Sequence, residues 1–216
     1  MLPIGTSCPI GNAKPTATSS TRSNEKYSPE RLAAVPMTGI RAVYLIVCAA
    51  PPSHDVLTFV GMAVESGWDC HVIGTPSSKD FLNLSAIEEA SGHSVTFEHR
   101  RPGEPKRGRP SADAAVIAPA TANTINKLAV GIGENYALDL ASELIGARVP
   151  MVIVPFVNTM LARRKPFTDA IGSLEQESVL VLENEQGARP HPRHKGPEHR
   201  AIFAWETAFT TIERTS

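Results

Sequence analysis

The segment Ala112–Gly133, ADAAVIAPATANTINKLAVGIG, constrains this chain more than any other. Its apolar run Ala114–Ala118 is too short for a globular helix and rich in aliphatics, the pattern of a strand buried in a parallel sheet. A helical pattern follows almost at once. Ile125, Leu128, Ala129 and Ile132 fall on one stripe, while Asn126 and Lys127 point elsewhere. Between the two lies Pro119-Ala120-Thr121-Ala122-Asn123-Thr124, small residues that carry two hydroxyls and one amide. Such a turn sits where a strand ends and a helix begins, where unpaired backbone N–H groups and the helix dipole favour an anion. Thr121, Ala122, Asn123 and Thr124 therefore read as a phosphate cradle. The same residues also suit an ordinary Thr/Asn helix cap, and spacing alone does not separate the two.

Pro119-Ala-Thr-Ala-Asn-Thr-Ile-Asn-Lys127, followed by Gly131-Ile132 and Glu134-Asn135, resembles the PASANT segment of the homo-oligomeric flavin-containing cysteine decarboxylases. That superfamily includes phosphopantothenoylcysteine decarboxylase and the lantibiotic-type peptidyl-cysteine decarboxylases. The resemblance implies FMN bound in a Rossmann-like, flavodoxin-like α/β fold, a homo-trimer or dodecamer, and oxidative decarboxylation of a cysteine-type thiol, small molecule or peptide. FMN rather than FAD or NAD also agrees with the residues. The turn lacks the GxGxxG sequence that accommodates a pyrophosphate, and no acidic residue follows at the ribose-reading distance.

The 216 residues suit one α/β domain, from about residue 38 to 214, behind a tail of residues 1–37. That tail is rich in Ser, Thr, Pro and Asn and reads as disordered, with no signal-peptide core. A formal net charge of −1 gives no case for nucleic acid or an anionic membrane surface. No apolar run approaches the roughly 20 residues that span a bilayer. The three cysteines, Cys8, Cys48 and Cys70, form no CxxC pair, which suggests reduced thiols and a cytoplasmic location.

Alternating strand and helix signals predict a doubly wound, three-layer α/β/α fold on a six-stranded parallel sheet. The strands fall at Ala42–Cys48, Asp69–Gly74, Ser94–Glu98, Ala114–Ala118, Pro150–Pro155 and Ser178–Leu182. The first ends at Ala49-Ala50-Pro51-Pro52-Ser53, where the resemblance implies a small-residue loop closing on the flavin. Ala50 and Ser53 keep that role here, two prolines stiffen the turn, and Asp55 stands where it would cap the following helix. His54 reads as an exposed helix-start residue. Thr75-Pro76-Ser77-Ser78-Lys79-Asp80-Phe81 is similar to the family's Ser-Ser-x-x-Phe turn, which implies that Ser78 hydrogen-bonds the flavin and Phe81 packs near it. A capping serine and a core phenylalanine account for both residues equally well.

Residues 100–111 hold Arg100, Arg101, Lys106, Arg107 and Arg109 among prolines and glycines, which predicts a mobile basic loop. It would either close over an anion or remain solvated. The position that carries the family's active-site histidine is Pro105 here, and the nearest candidate base is His99. Pro155-Phe156-Val157-Asn158-Thr159-Met160-Leu161-Ala162 resembles the family's PxMNxxMW segment. Asn158 matches the asparagine that binds the substrate carboxylate, Phe156 is placed against the flavin, and Val157 and Ala162 replace methionine and tryptophan.

Residues 183–198 are polar and include His191 and His194, with His199 just beyond. They lack cysteine or carboxylate at zinc-ligand spacing, so no metal is expected, and they read as a substrate lid disordered without ligand. Residues 200–214 read as a closing helix with Ile202, Trp205, Phe209 and Ile212 on one face. The departures from the family pattern leave alternatives open: flavin prenylation or another oxidation on the same fold, or a flavin-binding protein without catalysis.

Overall fold

Aliphatic runs become strands here because a central parallel strand has both faces covered and tolerates no polar alternation. A computed structural model describes residues 39–105, 108–183 and 188–216. The tail of residues 1–37 lies outside the described residues, as do Lys106 and Arg107 of the basic loop. Five parallel strands, β1 (Ala42–Val47), β2 (Asp69–Gly74), β3 (Ala114–Ala120), β4 (Met151–Pro155) and β5 (Leu180–Val181), run in the order β2-β1-β3-β4-β5. The doubly wound parallel fold is the one the sequence pattern implies.

The expected strand Ser94–Glu98 is instead a single parallel bridge from Thr96 to Ile73, so the sheet has five strands rather than six. Thr96 exchanges one pair of backbone bonds with β2, at Gly74 and Val72. Phe97 then fills the space above Gly74, where an added Cβ would lie 2.3 Å from its ring. Beyond it, Pro102, Pro105 and Pro110 prevent a continuing ladder.

Helices cover both faces. On one side α1 (Leu57–Glu65), α2 (Leu84–Ser91) and α8 (Trp205–Thr215) bury Phe59, Ile87, Phe209 and Ile212 against Val43, Leu45 and Val116. On the other, α3 (Ala122–Ala129), α4 (Tyr136–Gly146) and α6 (Lys165–Gln176) bury Ile125, Leu138 and Leu174 against Ile46, Ile117 and Ile153. Two short helices, α5 (Thr159–Ala162) and α7 (Gly196–His199), lie beyond the end of β4 and before α8. None of the described helices is long and apolar enough to cross a membrane.

Some local expectations shift. The stripe on α3 stops at Ala129, because Gly131 takes a positive φ of 71° and turns the chain, leaving Ile132 47% exposed. Ile202 lies in a 3-10 turn ahead of α8 and is exposed, so Ala208 completes the buried face in its place. The 188–199 segment is packed rather than loose. His191 bridges to Asn158, and Ala188, His191 and Gly196 are buried.

Candidate functional site

The exits of β1, β2 and β3 lie side by side at the carboxyl edge of the sheet, since neighbouring strands in the order β2-β1-β3 all point the same way. The first exit is a 3-10 turn, Pro51–Asp55, with proline in its first positions, where a missing N–H costs nothing. The second is another 3-10 turn, Pro76–Phe81. These two turns pack on each other, and the first also touches β3.

At the third exit the chain passes through a cis Ala118–Pro119 bond into Ala120 and enters α3 through Thr121. Thr121 caps the helix, its Oγ1 accepting from the Thr124 amide at 3.4 Å. Thr124 is buried. Its Oγ1 lies 3.1 Å from the Thr121 hydroxyl and accepts from the Cys48 thiol at 3.2 Å. Burial pushes the Cys48 thiol pKa up, with the Thr124 hydrogen bond acting the other way. The Thr124 hydroxyl thus faces inward. What remains open to an anion is the exposed Asn123 side chain and the backbone amides of Ala122 and Asn123, which have no acceptor among the described residues.

The two serines expected beside the flavin also face inward. Ser53 Oγ donates to the Cys48 carbonyl at 2.6 Å, and Ser78 Oγ donates to the Thr75 carbonyl at 2.7 Å. Both residues are fully buried. Each hydroxyl closes its own turn, which leaves an oxygen lone pair and no free proton for a ligand. Ala50 is buried at the head of the first turn and accepts from the Ser53 amide. Phe81 is half-buried, with the exposed His54 ring tilted over it at 5.3 Å. Asp55 does not cap a helix. It holds Arg200 through two contacts of 2.5 and 2.6 Å, tying the first exit turn to the segment before α8. Arg200 holds the Asp55 carboxyl below its ordinary pKa.

Asn158 caps α5, its Oδ1 accepting from the Met160 and Leu161 amides at 3.0 and 3.1 Å. With Oδ1 committed, the amide plane is fixed, and Nδ2 keeps two donors that no described residue uses. Beside it Phe156 is 9% exposed, packed at 4.7 Å from the His191 ring and 5.9 Å from Phe203. Phe81 and Phe156 make no ring contact with each other among the described residues. His191 is the residue that sequence reasoning undervalued. It reads as one member of a His-rich tract, yet its amide donates to the Val157 carbonyl and its carbonyl accepts from the Thr159 amide, bracketing Asn158.

His99 stands apart from this group in its bonding. Its Nε2 lies 2.8 Å from Asp139 Oδ2 in the first turn of α4, and its ring meets the edge of Tyr136 at 5.0 Å. The described part of the basic loop is anchored. Arg109 Nη2 donates to Thr96 Oγ1 at 2.9 Å, and the Tyr44 hydroxyl donates to the Pro110 carbonyl at 2.7 Å.

The family whose description is Flavoprotein matches residues 37–202. The coenzyme A biosynthesis bifunctional protein CoaBC of Bacillus subtilis is 28% identical over 156 residues, 70% of this chain and 38% of that protein. The dihydromethanopterin reductase (acceptor) of Methanosarcina mazei is 39% identical over 112 residues, 48% of this chain and 43% of that protein. The chain thus spans under two fifths of the length of its CoaBC relatives. The FMN-dependent cysteine decarboxylase TvaF from thioviridamide biosynthesis superposes with a TM-score of 0.63 at 20% identity, over 82% of this chain and 98% of that one. Since the family match runs through all five strands and past the Asn158 turn, the chain belongs to the Flavoprotein family and has the fold of the cysteine decarboxylases it resembles in sequence.

Proposed function

We propose that residues 38–214 form an FMN-binding domain whose phosphate site is the amino end of α3. The observation that carries this is the pair of unpaired amides at Ala122 and Asn123, beside an exposed side-chain amide, at the carboxyl end of a central strand. These donors suit a phosphate, so the residues present fit the group. Thr121, Ala122 and Asn123 would hold it. Ala50, Ser53, Ser78 and Phe81 would border the ring from the neighbouring exits, with Phe156 on the far side. Thr124 supports the cradle from beneath.

The reaction this site supports best is oxidative decarboxylation of a cysteine-type thiol. FMN, when bound, supplies the two-electron oxidation that makes loss of the substrate carboxylate as CO2 easy. This chain's own part is to bind and orient. The two free donors of Asn158 Nδ2 suit a carboxylate, and their direction is fixed by the bonds of its Oδ1. His99 is the candidate proton carrier, held by Asp139. The fold relationship to FMN-dependent cysteine decarboxylases supports this reading. Assembly into a trimer or higher oligomer is part of it, and so is a cytoplasmic location, where the buried free thiols Cys48 and Cys70 remain reduced. The apolar residues of α4 serve the chain's own core, so subunit packing would use the exposed Val130, Ile132, Met160 and Leu161 instead.

A second reading, another flavin-dependent oxidoreduction, is favoured by Pro105 at the histidine position and by Val157 and Ala162 in the substrate segment. The 39% identity to a dihydromethanopterin reductase supports it as well. One preparation tests both. A visible flavin spectrum that resolves as FMN on release is expected, and failure to take up FMN on titration rejects the site. CO2 release from a peptide with a C-terminal cysteine favours the first reading, and a bound flavin without such turnover favours the second.

A further inference from the structure

The edge strand β2 carries a second group of chemically competent side chains. Asp69 and His71 are two residues apart on β2 and so project from the same face of the sheet. His93 reaches them from just beyond α2, where Gly92 ends the helix in the left-handed region at φ 76° and the Ser91 hydroxyl accepts from the His93 amide at 3.2 Å. The two imidazoles stack with centroids 4.0 Å apart and planes 24° apart. Both turn Nε2 onto one carboxylate, His93 to Oδ1 at 2.6 Å and His71 to Oδ2 at 3.1 Å.

We propose that Asp69, His71 and His93 bind a divalent transition-metal ion of the zinc class. One ligand atom from each lies within 4.8 Å of the others. Tetrahedral zinc with bonds of about 2.0–2.1 Å needs ligand atoms about 3.3 Å apart. The observed contacts of 2.6 and 3.1 Å, one to each carboxylate oxygen, therefore open by about 0.7 and about 0.2 Å as a cation replaces the hydrogens between them. Two imidazoles and one carboxylate suit zinc and its neighbours and do not suit magnesium or calcium, which take oxygen ligands. The ligands sit on a strand and just past a capped helix end, which fixes their directions. His71 is buried, while His93 and Asp69 are partly open to solvent.

All three residues line a cavity of about 880 Å³, which Lys79, Thr96, Glu98 and Arg109 also border. Three protein ligands with the fourth position facing such a cavity is the arrangement of an open site rather than a closed structural one. Arg109 would favour an anionic group at that fourth position. The site begins at the amino end of β2, whereas the cradle lies beyond the carboxyl ends of the strands, so this proposal does not depend on the flavin reading.

The test is equilibrium dialysis of the full-length protein against zinc, with magnesium as the control and metal content measured directly. One zinc per chain is expected, with no retention of magnesium. His93→Gln and, separately, Asp69→Asn should each weaken zinc binding on the order of 100-fold, at least the loss that second-shell changes cause. A His194→Gln, His199→Gln double variant should bind zinc as the parent does. Zinc should also raise the melting temperature of the parent and leave that of His93→Gln unchanged, a readout that stands even where a variant folds less well. Absence of stoichiometric zinc in the parent would overturn the proposal. So would undiminished binding in His93→Gln, or loss of binding only in the His194/His199 variant.

Discussion

Replacing Asn123 by aspartate separates the folding role of the α3 amino end from its proposed phosphate role, because the two predict effects of opposite sign. Asn123 is the second residue of α3, exposed, with no side-chain partner among the described residues. A carboxylate in the first turn of a helix meets the positive end of the dipole, which contributes about 0.3–1 kcal/mol. The flavin-free Asn123→Asp protein should therefore melt at or slightly above the parent. A bound phosphate dianion about 5 Å away reverses the sign. Even at the dielectric of water the repulsion is about 0.8 kcal/mol per charge pair, or about 1.7 for two charges. Loss of the amide donor adds about 1.5 kcal/mol. The sum, about 3 kcal/mol, corresponds to on the order of 100-fold or more in FMN affinity. Fluorescence titration with FMN and thermal melting of the flavin-free protein measure the two effects. FMN affinity within about threefold of the parent would remove the phosphate from this helix, and so would refute the site built around it.

Thr124→Val keeps the shape of the side chain but deletes the hydroxyl that meets Cys48 and Thr121. It should cost about 1–2 kcal/mol in denaturant unfolding while leaving FMN affinity nearly unchanged. A tenfold loss of FMN at unaltered stability would instead put that hydroxyl on the ligand. Asp55→Asn tests the tie to Arg200 by pH. Because the folded carboxyl is held below its ordinary value, its contribution is present above the unfolded carboxylate pKa of about 3.9 and is lost as pH falls through the folded value. The parent should be more stable than the variant at pH 6, with the gap closing below about pH 4, and a gap that widens on acidification contradicts the assignment. Finally, burial pushes the Cys70 thiol up to about 12 and the Cys48 thiol upward as well. Neither should be alkylated in the folded protein at mildly alkaline pH, while both react after unfolding, as peptide mass spectrometry would show.

The sequence by itself determined the parts that rest on local pattern. Continuous aliphatic runs set β1, β3 and β4, since a strand covered on both faces has no polar position to offer. The Thr-Ala-Asn-Thr turn located the head of α3, because capping is settled by neighbours a few residues away. The strand expected at Ser94–Glu98 forms a single bridge, because pairing needs a partner along its length and the chain leaves the edge of β2 after Thr96 for the proline-rich segment that follows.

Only tertiary structure decided where the polar atoms point. The hydroxyls of Ser53, Ser78 and Thr124 suit a ligand by residue type alone, and the folded chain turns each of them inward to a carbonyl or a neighbouring side chain. Buried polar groups must find partners, and packing of these turns against the sheet leaves Ser53 and Ser78 a carbonyl of their own turn while it brings the Cys48 thiol, 76 residues away in sequence, to Thr124. The same holds for Asp55 and Arg200, 145 residues apart, and for Asp69 and His93, 24 apart. No periodicity encodes such pairs, because they arise when separate segments are packed against the same sheet.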